Sequence, residues 1–233
     1  MKLNRNQLRK MILKEMGIFP NIMKGLKTGN AILAYDNSDL IAEAIAGIDN
    51  KNPKVGGIPT GHGACAIIEP NGDVTGVSFG PPLCKNAFIN LEPLTVQFKV
   101  NVLELGNISK HLSDAGRLKQ SAGDAVIKLM LSKKMFRGNK IHYYGYDNVD
   151  AKQCLEHAGQ NGRCKLYTVI PTGIDMGWET DTDNCASFAV DVVAAGKADL
   201  GSSLVQTLSS PSAMIPAANI TFGGSQIKGT YSN

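Results

Sequence analysis

No stretch of 18 consecutive apolar residues occurs in this sequence, so a membrane-spanning helix is not expected. The start is basic, and charged side chains interrupt every candidate apolar core within it, so a signal peptide is not expected either. No cysteine pair has CxxC spacing, and Cys154, His157 and Cys164, though near one another in sequence, fit no common zinc-ligand pattern. No GxxxxGK[ST] phosphate loop is present, so Gly56-Gly57, Gly61-His62-Gly63 and Gly223-Gly224 read as turns. No metal or cofactor is therefore expected. Aromatic residues are scarce at 6%, with a single Trp. The cysteines number 5, an odd count that implies no disulfide framework. A chain made in a reducing cytoplasm is the simpler expectation, and it keeps a thiol usable; where the protein ends up, a virion or injection particle included, is left open.

What is present suits a globular chain able to bury a real core: 233 residues, 43% hydrophobic and 19% charged. The net charge of +4 is unevenly spread. Residues 1–28 hold seven Lys and Arg against Glu15, a net of +6, which leaves −2 for the remainder. The near-neutral body gives no nucleic-acid footprint. Residues 4–16 place Leu8, Met11, Ile12 and Met16 on one helical face. Residues 1–29 therefore read as a basic helical arm suited to docking on a protein partner. Residues 30–233 read as the main domain, with a Ser- and Gly-rich tail.

Along that domain, residues 38–48 read as a helix and 51–61 as a Gly- and Pro-rich loop. A hairpin follows: a strand over 63–69, a type I′ turn at Asn71-Gly72, and a return strand over 73–79. Residues 94–102 alternate, with Leu94, Val96, Phe98, Val100 and Val102 on one face, as in a half-exposed antiparallel strand. Residues 108–118 and 122–136 read as helices. Residues 140–146 read as a short strand or irregular chain, with Tyr143, Tyr144 and Tyr146 half-buried, and 149–158 as a short helix. Residues 164–170 read as a strand, and 218–222 as another. His111, His142 and His157 are isolated and read as surface or satisfied core histidines.

The chemistry points to Cys185. Asp183 or Asn184 caps a helix there, the apolar positions Phe188, Ala189, Val192 and Val193 follow, and Gly196 ends it. The thiol falls in the first turn, where unpaired N–H groups and the helix dipole favour a thiolate. Glu179, Asp181 and Asp183 oppose this by like-charge repulsion. Upstream, His62 opens an apolar strand. A thiol on a helix start facing an imidazole on a strand is the pairing used by thiol enzymes.

The order is histidine strand, hairpin, further strands, then Asn-Cys-x-x-Phe opening a helix. It resembles the circularly permuted papain-like fold of permuted NlpC-type cell-wall peptidases, lecithin:retinol acyltransferase-like enzymes and related desumoylating peptidases. Gly61-His62-Gly63-Ala64 matches the histidine motif and Asn184-Cys185-Ala186-Ser187-Phe188 the cysteine motif. The resemblance implies an α+β fold, an antiparallel sheet packed against helices with the His strand before the Cys helix. It also implies acyl transfer with Cys185 as nucleophile, His62 as base and the Cys185 N–H in an oxyanion hole, while Trp178 and the loop 173–183 could wall the cleft. The family's third polar residue lies on the return arm of the hairpin. With this hairpin two residues longer on each arm, the equivalent is Ser78, with Asp73 or Thr75 as alternatives.

The substrates so implied are amide bonds, peptidoglycan peptides first. Protein or lipid acyl groups are a second class. A different reading makes the chain a non-catalytic structural or docking component of a phage particle or injection apparatus. The basic leader, which resembles those of large tailed-phage proteins, and the weak third residue favour it.

Overall fold

The computed structural model describes residues 28–36, 61–80, 90–91, 94–136, 138–160, 165–168, 185–197 and 211–232. The expected helices at 4–16 and 38–48, the Asp183/Asn184 cap, Trp178 and the 173–183 loop lie outside these residues. The strands are β1 (Gly29–Asp36), β2 (His62–Ile68), β3 (Asp73–Gly80), β4 (Asn90–Leu91), β5 (Leu94–Asn107), β6 (Lys140–Val149), β7 (Lys165–Thr168) and β8 (Ile227–Ser232). The helices are α1 (Gln120–Ser132), α2 (Ala151–Gln160), α3 (Cys185–Ala195) and α4 (Pro211–Thr221). The sheet runs β4-β5-β3-β2-β1-β6-β8, with β7 beside the first half of β5. Every pairing among these strands is antiparallel. The fold is α+β, an antiparallel sheet packed against helices, with the His62 strand preceding the Cys185 helix.

Each strand of the sheet centre serves two cores, because successive side chains point to opposite faces. Leu33, Tyr35, Cys65, Ile67, Val77 and Phe79 meet α2, α3 and α4. Ile32, Ala34, Ala64, Ala66, Ile68 and Val74 meet α1 and the chain around it. Central strands covered on both faces need apolar residues at consecutive positions, which is why β1 and β2 are buried throughout. Phe188, Val192 and Val193 of α3 are buried against the sheet, and Phe188 meets Phe79 at 5.6 Å between ring centroids. Burying such a side chain contributes about 1.5–3 kcal/mol.

Several local expectations are corrected. Residues 108–118 are not a helix: β5 continues to Asn107, a 3-10 turn spans Ser109–His111, and Leu112 bridges to Leu118. The reason is tertiary, since Ile108 N–H donates to the Gly72 carbonyl and Leu118 N–H donates to the buried Asp147. Residues 218–222 are the end of α4 and not a strand; Met214, Ile215 and Ala218 recur at helical spacing on its buried face. The hairpin loop is not a two-residue type I′ turn. Gly72 N–H bonds the Glu69 carbonyl with Pro70 and Asn71 between, Gly72 takes φ 89, and Glu69 N–H bonds the Asp73 carbonyl. That is a type I turn with a glycine bulge, which Pro70 favours by its fixed φ. The alternation of β5 breaks down near its middle, where Val100 is buried and Val102 is 47% exposed.

Candidate thiol site

Cys185 is the first residue of α3. The first N–H groups of a helix have no intrahelical acceptor, and the dipole there favours negative charge. The backbone N–H of Gly63 donates to Cys185 Sγ at 3.4 Å. That amide is available because the pairing of β2 with β3 ends at Ala64 and Ser78, one residue short of Gly63. The absence of a side chain at Gly63 permits the approach: a Cβ there would lie 3.0 Å from Ala186 Cα and 3.2 Å from Ile215 Cδ1. An N–H donated to sulfur stabilises the charged form of a thiol.

His62 opens β2 and is only 6% exposed. Its backbone N–H donates to Asp36 Oδ1 at 3.0 Å, and its ring meets Phe136 edge-on with centroids 5.6 Å apart. Alternation along β2 sends the His62 side chain to the α1 side, with Ala64 and Ala66, whereas Gly63 faces α3. The thiol and the imidazole thus share one end of β2, on either side of its backbone. Burial pushes the His62 imidazole down to about 4, and the nearby Asp36 charge acts in the opposite direction. The ring is therefore neutral at pH 7, and its burial opposes protonation.

Ser78 is buried opposite Ala64 and lies on the same side of the sheet as His62. Among the described residues no hydrogen bond joins Ser78 to His62. Asp73 is at the far end of the hairpin, bonded to Asn71 and Asn107, so it is not placed to orient the imidazole. Thr75 pairs with Ile67 and faces the α3 side, away from the His62 ring. The residue beside His62 that sequence reading passed over is Asp36. It is fully buried at the end of β1, directly opposite His62, and accepts from Gly138 N–H at 2.9 Å as well. The apolar run Ala31-Ile32-Leu33-Ala34-Tyr35 before it was the available signal for a buried strand.

Two further histidines and two further cysteines among the described residues sit in other surroundings. His142 stacks on Tyr35 at 5.0 Å and its Nδ1 lies 2.9 Å from the Thr230 hydroxyl. His111 Nδ1 lies 3.0 Å from the Ser121 hydroxyl. Burial pushes the Cys65 thiol well up and the Cys154 thiol to about 12, which keeps both protonated. Among the described residues, no group of three or more His, Cys, Asp or Glu side chains is placed to hold a metal ion, and no helix is long and apolar enough to cross a membrane.

No protein-family model matches the chain, and no curated protein matches it. One solved structure does: the crystal structure of TseH, a type VI secretion system effector. It shares 13% identity at a TM-score of 0.54, over 88% of this chain and 93% of TseH. The two share a fold. At this identity the likeness carries no residue roles.

Proposed function

We propose that this protein is a cysteine hydrolase that cleaves amide bonds, with peptidoglycan stem peptides as its substrate. The observation that carries the reading is the 3.4 Å contact of Cys185 Sγ with the amide of Gly63, which puts the thiol beside the residue that follows His62. In the proposed reaction Cys185 attacks the amide carbonyl and its proton passes to His62. The imidazole then returns that proton to the departing amine, leaving a thioester that water hydrolyses. The Cys185 N–H, at a helix start, is a donor for the oxyanion. Ser78 is the third polar group in this scheme, on the imidazole side. TseH is described as a secretion-system effector, which supports a delivered hydrolase over a stationary one.

A second reading, a non-catalytic component of an injection apparatus or particle, is favoured by the burial of Cys185, only 2% exposed. One experiment separates the two. Release of new amino groups from purified peptidoglycan should be measured for the full chain, Cys185→Ala and His62→Ala. Hydrolysis lost in both variants, each still folded, supports the enzyme. A wild-type protein with no turnover, or variants that retain it, rejects this site.

A further inference from the structure

We propose that Asp36 is the positioning residue of this site: its carboxylate locks the start of β2 to the turn after α1 and lays a negative charge beside the imidazole. The inference rests on the reading of His62 as the base. Asp36 has no exposed surface, and a buried carboxylate is costly unless it is hydrogen-bonded. Its two oxygens take separate backbone donors: Oδ1 the N–H of His62 at 3.0 Å, Oδ2 the N–H of Gly138 at 2.9 Å. Gly138 must be glycine for this, since a Cβ there would sit 2.8 Å from Oδ2. Two residues before Gly138, Phe136 packs edge-on against the His62 ring. One carboxylate thus fixes both the backbone of the base and the turn that carries the ring's wall.

A neutral serine or asparagine could accept from the same amides, so the charge needs its own account. Imidazolium forms when the thiol gives up its proton, and a fixed anion beside it favours that state. Among the described residues, the titratable groups at this end of β2 are Asp36 and Tyr35 from β1, His142 from β6 stacked on Tyr35, and Cys185 from α3; of these the carboxylate of Asp36 is the one bonded to the His62 residue, and Phe136 contributes no charge. Ser78, one residue pair inward, is uncharged and could not supply this effect.

The test uses the full chain, and its deciding readout, the His62 titration, does not depend on knowing the substrate. The His62 ring is titrated by NMR in wild type and in Asp36→Asn, with circular dichroism checking that the variant is folded. The expected result is titration at lower pH in the variant, with kcat/KM on peptidoglycan reduced about tenfold or more, within what a positioned base contributes. Asp36→Glu, which keeps the charge, should hold the His62 titration nearer to wild type than Asp36→Asn does. A His62 titration unmoved or raised in Asp36→Asn overturns the proposal, whatever the activity. If Asp36→Asn fails to fold, the wild-type Asp36 carboxyl carbon shift decides: a step at the His62 titration supports the coupling, and its absence overturns it. Failure of the hydrolase reading shows differently, as an inactive wild type.

Discussion

Gly63 and Cys185, 122 residues apart in the chain, meet through a hydrogen bond from amide to sulfur. The contact exists because β3 stops pairing one residue early and because Gly63 has no side chain to hold α3 away.

Gly63→Ala should break that relationship. The new methyl would meet Ala186 Cα at 3.0 Å and Ala186 Cβ at 3.1 Å, so α3 must shift outward at its first turn. A cost of about 1–3 kcal/mol is expected from overpacking, measured by urea denaturation. Activity should fall further than stability predicts, because the sulfur loses its donor. Wild-type turnover in Gly63→Ala would show that the contact is incidental.

Gly123→Ala provides the control from the opposite face. A methyl at Gly123 would run into the Tyr143 ring and disturb its hydroxyl, which donates to Asp124 Oδ1 at 3.1 Å. A destabilisation of about 1–3 kcal/mol is again expected. Turnover under folding conditions should stay near wild type, since α1 touches neither the sulfur nor its donor.

Thiol labelling should discriminate among the cysteines. Brief treatment of the native protein with iodoacetamide at neutral pH, followed by peptide mass spectrometry, should modify Cys185 and spare Cys65 and Cys154. Both of the latter are fully buried and held protonated by their apolar surroundings. Equal labelling of all three would place Cys185 among the inert core thiols.

Acid should weaken the fold through His62. Its folded value, about 4, lies below the ordinary 6.5 of an exposed imidazole. The unfolded chain therefore binds the proton first, and stability present above pH 6.5 is lost as pH falls through about 4. Urea denaturation from pH 7 to 4 should show this decline, and His62→Gln should flatten it. An identical slope in both proteins would remove His62 as the cause.

The sequence by itself determined the elements whose periodicity is strong and local. The hairpin of β2 and β3 follows from apolar runs on either side of Asn71-Gly72, and α3 from the spacing of Phe188, Val192 and Val193. It also singled out His62 and Cys185, because a thiol on a helix start and an imidazole on a strand start are visible as residue types in context. Tertiary structure decided what depends on distant partners. Residues 108–118 do not form an α-helix because Gly72 takes the amide of Ile108 and Asp147 that of Leu118. β1 becomes an interior strand of the sheet, between β2 and β6, with cores on both faces claiming its side chains. Asp36 stands opposite His62 only through the β1–β2 register, which pairs Asp36 with His62. Local pattern encodes which face a residue prefers, whereas register and through-space charge arise only once distant segments are packed together.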